Sequence, residues 1–183
     1  MNRFLTAALA GLIATTPGSA REMIGNWRVD HFKPFGLWES MCDHREQENR
    51  QIRRCYIRYV DGYSPGEPFG AAFLFVTAPG PGGLRYEFGF EPGTRFAEDG
   101  FVVMRDDAIT WILDTATCAG GNSCIIEGDA ALDLSNLLGG GGRLVFRFAD
   151  RHGRDWRREW TAPDYDEVLA DFQAASAERE LPF

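Results

Sequence analysis

A mainly β, single-domain β-sandwich with two short accessory helices and two local disulfides is the fold class predicted by this chain of 183 residues. Three observations carry it. Aromatic and charged residues alternate through several short segments, and a period of two places one set on each face of an extended strand. Clusters of Gly and Pro separate those segments, as turns require. The four cysteines fall into two close pairs, Cys42 with Cys55 and Cys118 with Cys124.

The amino terminus reads as an export signal. Arg3 supplies a short positive start, Phe4 to Ile13 is almost wholly apolar, and Gly18-Ser19-Ala20 offers the small side chains of a cleavage site. Residues 1–20 are expected to leave as a signal peptide, with 21–183 forming the single β domain. No run in the chain approaches the roughly 20 apolar residues of a membrane-spanning helix, so no stable membrane insertion is expected after cleavage. Loss of Arg3 leaves 18 of the 19 Lys plus Arg against 27 Asp plus Glu, a formal charge of −9. Net acidity disfavours nucleic acid, whose phosphates need clustered positive charge.

Taken in order, Trp27, Phe32, Phe35 and Trp38 suggest one or two irregular strands interrupted by Pro34, and the charged stretch from Asp43 to Arg54 is expected to be a solvated connection. Cys55 to Val60 and Ala71 to Thr77 follow as strands, separated by Pro65, Gly66 and Pro68. Beyond the Pro79 to Gly83 loop, Leu84, Tyr86, Phe88 and Phe90 alternate with Arg85, Glu87, Gly89 and Glu91, the clearest period of two in the chain. Phe101 to Met104 and Ala108 to Leu113 pair about the Arg105-Asp106-Asp107 turn, with Trp111 expected in the core. Ala131, Leu134, Leu137 and Leu138 take helical spacing, with Asp129 capping the start or favouring it electrostatically and Gly139 to Gly142 as the stop.

Leu144 to Phe148 and Trp156 to Trp160 form the last hairpin, turning at Asp150 to Gly153. Trp156, Arg158 and Trp160 share one side of that final strand. They are the candidate protein-binding residues, an aromatic and guanidinium strip suited to a planar, anionic or peptide partner. Thr161 is expected to cap a helix over 162–176, with Pro163 in its first turn and Tyr165, Val168, Leu169 and Phe172 as its docking face.

The cysteine pairs enclose twelve and five residues, and behind an export signal they read as disulfides that each stabilise by about 2–3 kcal/mol. The gaps match neither a zinc knuckle nor the Cys-x-x-Cys of thiol exchange. His31, His44 and His152 lie in separate segments, and Gly-x-Ser-x-Gly, His-Glu-x-x-His and Gly-x-Gly-x-x-Gly do not occur. The glycines at 139–142 follow a helix rather than open one, the wrong end for a phosphate. No catalytic residue, metal ligand or cofactor is therefore assigned.

Gly25-x-Trp27 ahead of Cys42-Asp43, the strand opening Cys55-Tyr56-Ile57, and Thr117-Cys118 ahead of Cys124 resemble the bacterial invasion-associated locus B family. In order, the likeness spans most of Gly25 to Ala175. It implies a secreted or periplasmic β-sandwich in which Trp27 packs and the four cysteines form two local disulfides, without an established catalytic centre. Residues and resemblance together set the expectation: a periplasmic, secreted or peripherally surface-associated non-enzymatic adaptor that binds an envelope or host protein. A small periplasmic hydrolase and a structural envelope protein are the alternatives.

Overall fold

The computed structural model describes residues 23–24, 26–64, 70–80, 83–115, 118–119 and 122–183. The expected export signal lies outside them, as do residues 65–69, 81–82, 116–117 and 120–121. Two antiparallel sheets carry the fold. The larger has seven strands in the order β1-β2-β3-β4-β5-β6-β9, and the smaller has four in the order β11-β10-β7-β8.

The large sheet is a meander of β1 (Met23–Ile24), β2 (Trp27–Phe35), β3 (Trp38–Gln47), β4 (Arg50–Ser64), β5 (Gly70–Gly80) and β6 (Gly83–Phe90), completed by β9 (Ser123–Ile126). Register places Tyr59, Leu74 and Phe88 side by side across β4, β5 and β6. Alternation along these strands puts Ile57, Val76, Tyr86 and Phe90 on that same inner face, and all are buried. Leu84, Tyr86, Phe88 and Phe90 share one face as their alternation predicts, and the structure turns that face inward.

Across the core lies the small sheet, built from β7 (Arg95–Arg105), β8 (Ala108–Ile112), β10 (Arg143–Ala149) and β11 (Asp155–Thr161). Phe101, Phe146 and Phe148 meet Phe88 and Phe90 between the sheets, with ring centroids 4.4–4.9 Å apart for the closest pairs. Edge-to-face and offset geometry adds to what burial alone contributes. Trp111 packs against this core only in part, 6.0 Å from the Phe101 ring.

The small sheet is narrower than the large one, and two helices cover the remaining inner face. Helix α1 (Asp129–Gly139) rests on β6, and α2 (Tyr165–Ala177) lies across β3 and β4. Tyr165, Val168 and Phe172 form the buried side of α2, as their spacing predicts, and Leu169 is partly buried beside them.

Three local expectations change. The charged run from Asp43 to Arg54 is the far half of a β3–β4 hairpin, in which Gln47 pairs with Arg50 across a two-residue turn. Glu48 and Asn49 have φ of 52° and 60°, the left-handed pair of a type I′ turn. The ribbon reaches beyond the core, so its side chains are charged while its ladder stays intact. Thr161 ends β11 instead of capping a helix, because pairing with Arg143 keeps it extended. Helix α2 then starts after Asp164, and α1 after Gly128, without a side-chain cap at either; Asp129 sits in the first turn of α1, so of its two expected roles the electrostatic one fits and the cap does not.

Both disulfides join the expected partners. Cys42 faces Cys55 directly across β3 and β4 with Cα atoms 4.0 Å apart, and Cys118 joins Cys124 at the start of β9.

Candidate binding face

The strip expected on β11 is oriented inward. Trp156, Arg158 and Trp160 do share one side of the strand, but that side faces the large sheet. Trp160 is 2% exposed, with its ring 4.2 Å from Tyr59 and 4.7 Å from Phe146. Its indole N–H donates to Asp61 at 3.0 Å, and Arg158 Nε lies 3.6 Å from the same carboxylate. Trp156 is half-buried against Phe148 and Tyr63 and donates to Asp150 at 3.1 Å. These three residues tie the two sheets together and do not make a contiguous exposed patch. A period of two reports which residues share a side, and not which side meets solvent.

The histidines also separate. His31 Nε2 lies 2.7 Å from Asp171 of α2, a carboxylate that also accepts from Lys33 at 2.9 Å. His44 Nδ1 lies 2.6 Å from Asp30, on β2, rather than pairing with adjacent Asp43. At His152 it is the backbone N–H that donates to Asp150. Among the described residues, no group of three or more His, Cys, Asp or Glu side chains converges as a metal site would require.

The outer face of the large sheet is different in kind. Both helices and the small sheet pack on its inner face, and among the described residues no helix or strand packs over the outward residues of β2 to β6 and β9. Strand alternation brings Glu39, Met41, Asp43 and Arg45 of β3 opposite Arg58, Tyr56, Arg54 and Ile52 of β4. Arg54 holds Asp43 through Nε at 2.7 Å and Nη2 at 3.1 Å, and the Tyr56 hydroxyl donates to Asp43 at 3.1 Å. The Trp27 ring lies 3.8 Å from the Arg54 guanidinium and 4.6 Å from that of Arg45. Arg58 donates to Glu39 at 2.6 Å.

This layer is ordered by its own contacts. Asp43, Met41 and Tyr56 are 2%, 1% and 7% exposed although they point away from the core. Hydrogen bonding to Asp43 holds the Arg54 guanidinium above its ordinary pKa, and burial, reinforced by the Asp43 charge, pushes the Tyr56 phenol up. A groove of about 390 Å³ follows, lined by Arg54, Tyr56, Arg58, Phe75, Thr77 and Glu87. Gly89 gives Phe73 room, since a Cβ there would come within 2.7 Å of its ring.

Around this centre lie Phe32, Ile52, Val60 and Ile125, all large apolar side chains between 38% and 51% exposed. Register assigns each to the outer face: Phe32 opposite Met41, Ile52 opposite Arg45, Val60 opposite Phe73, and Ile125 opposite Glu87. The signal was present in the sequence as Arg54, Tyr56 and Arg58 alternating with Cys55, Ile57 and Tyr59. Reading Asp43 to Arg54 as a connector hid it, because the opposing residues of β3 were left without a register. Comparison with known proteins finds no matching family model, curated protein or solved structure.

Proposed function

We propose that this chain is an exported, non-enzymatic protein-binding module of the periplasm or cell surface, with the outer face of the seven-stranded sheet as its contact surface. One observation carries the reading: a sheet face over which no described helix or strand packs has a rigid Trp27, Arg54 and Tyr56 centre ringed by exposed Phe32, Ile52, Val60 and Ile125. Trp, Tyr and Arg are the residues most enriched where binding energy concentrates. A centre already held by Asp43 loses little side-chain freedom when a partner arrives, which lowers the cost of association. Charges on this face are largely paired within it, as in Arg54 with Asp43 and Arg58 with Glu39, which suits a partner surface of mixed polarity. The likeness to the invasion-associated locus B family supports the same exported setting, and an envelope or host protein is the partner class.

Site-specific photo-crosslinking in the producing cells tests the proposal. A crosslinker at Val60 or Ile125 should yield one defined protein adduct, and the same group at Ile109 of β8 should not. Val60→Asp should abolish the Ile125 adduct while leaving the fold unchanged, since exposed substitutions usually shift stability by about 0.5 kcal/mol or less. Equal adducts from Ile109, or none from the outer face, would reject this surface.

A further inference from the structure

The geometry points to a second, independent site: the cleft between α1 and α2 binds a small amphipathic amine, with its alkyl body between the helices and its ammonium group at Asp129. The cleft encloses about 430 Å³, within the roughly 300–1,000 Å³ typical of small-molecule sites. It opens on the flank formed by the helices and the start of β6, away from the outer sheet face.

Its walls are apolar and come from separate elements. Leu84 of β6, Leu132 of α1, Leu169 of α2 and Phe183 line it. Leu132 is 58% exposed, and Phe183 is braced edge-on against Phe172 at 5.3 Å. Asp129, Leu132 and Asn136 recur at i, i+3 and i+7 along one side of α1, and Leu169 and Gln173 at i and i+4 along α2. The body of the ligand would lie along that row, about 10 Å from Asp129 to Asn136 at the helical rise.

The floor is polar and fixed. Ser135, 8% exposed, lines the cleft and hydrogen-bonds the Tyr165 hydroxyl at 3.2 Å, and Tyr165 in turn pairs with Tyr86 beneath it. Burial pushes both phenols up, so they remain neutral donors and acceptors.

Charge selects the head group. Among the described lining residues Asp129 is the one charged side chain, and the whole molecule carries a formal −8. The Asp129 charge exceeds the roughly half positive charge that the α1 amino terminus presents at the same end of the cleft, so a carboxylate or phosphate meets net repulsion, a neutral head forgoes the ion pair, and an ammonium gains it.

Titration of the full chain with octylamine, octanol and octanoate, followed through the methyl resonances of Leu132 and Leu169, tests the assignment. Octylamine should shift both and bind at least tenfold more tightly than octanoate. Asp129→Asn should reduce octylamine to the affinity of octanol, Asp129→Glu should retain the preference, and Leu169→Trp should fill the cleft and abolish binding of both. Far-UV circular dichroism establishes that each variant is folded. Octanoate binding as tightly as octylamine, an amine preference that survives Asp129→Asn, or no methyl shifts with millimolar octylamine would overturn the proposal.

Discussion

Asp43 and Trp160 exchange the positions that their chemistry suggests. A carboxylate faces away from the core and is buried, while a tryptophan expected at a contact surface is part of the core. Both cases are decided by partners. Asp43 is tolerable under cover because Arg54 and Tyr56 supply three hydrogen bonds to its two oxygens. Trp160 is held by rings on three strands and satisfies its single donor on Asp61. Trp160→Ala is therefore expected to destabilise the fold by about 3–5 kcal/mol, read as a lower urea midpoint. A stability loss of about 0.5 kcal/mol or less, on the scale of ordinary surface substitutions, would return this residue to the surface. Gly100 is a further residue whose need appears only in three dimensions. A Cβ there would lie 2.4 Å from the Arg147 carbonyl oxygen, at the irregular β7–β10 pairing.

At the scale of elements, hairpin turns set the register that makes the outer face. Continuous pairing from Trp38–Tyr59 to Gln47–Arg50 depends on a two-residue turn at Glu48 and Asn49. Neither residue is the best choice for positive φ, where Asn followed by Gly is preferred. The double substitution Glu48→Asn with Asn49→Gly should stabilise the chain by about 1 kcal/mol, raising the thermal midpoint without altering the spectrum of the folded state. An unchanged or lower midpoint would argue against the type I′ geometry. Cys42–Cys55 lies in the same ladder, so disulfide and turn fix one register from opposite ends of the ribbon. The β10–β11 hairpin is organised differently, by Asp150 accepting from the backbone of His152 and Arg154 and from the side chains of Arg154 and Trp156.

For the whole molecule, buried and paired titratable groups give stability two pH boundaries. Burial alone would raise the Asp150 and Asp171 carboxyls, but hydrogen bonds to Arg154 and Trp156 for one, and to Lys33 and His31 for the other, outweigh it and hold both below the usual carboxylate range. A depressed folded-state pKa stabilises above the ordinary value near ~3.9, and that stability is lost as pH falls below it toward the folded value. On the alkaline side burial pushes Tyr59 up to about 12, and Tyr86 and Tyr165 up as well. Raised phenol pKa values stabilise below the unfolded value near ~10, and that contribution is lost as pH rises toward the folded values. Urea midpoints should accordingly be flat from about pH 5 to pH 9 and fall on either side. Equal midpoints at pH 7 and pH 3 would contradict the carboxylate arrangement, and full tyrosinate absorbance in the folded protein at pH 11 would contradict the buried phenols.

The sequence by itself determined the fold class, both disulfide pairings, and the shared side of the row from Tyr86 to Phe90, because periodicity and cysteine spacing are local properties. It also specified the buried side of α2 through Tyr165, Val168 and Phe172. Tertiary structure alone decided which side of each strand meets solvent. Trp156 to Trp160 alternate as clearly as Arg54 to Arg58, yet one side closes the core and the other lies on the outer face. The difference is what lies across from each strand. The small sheet and two helices cover only the inner face of the large one, and that arrangement is set by layer packing rather than by the period of any one strand.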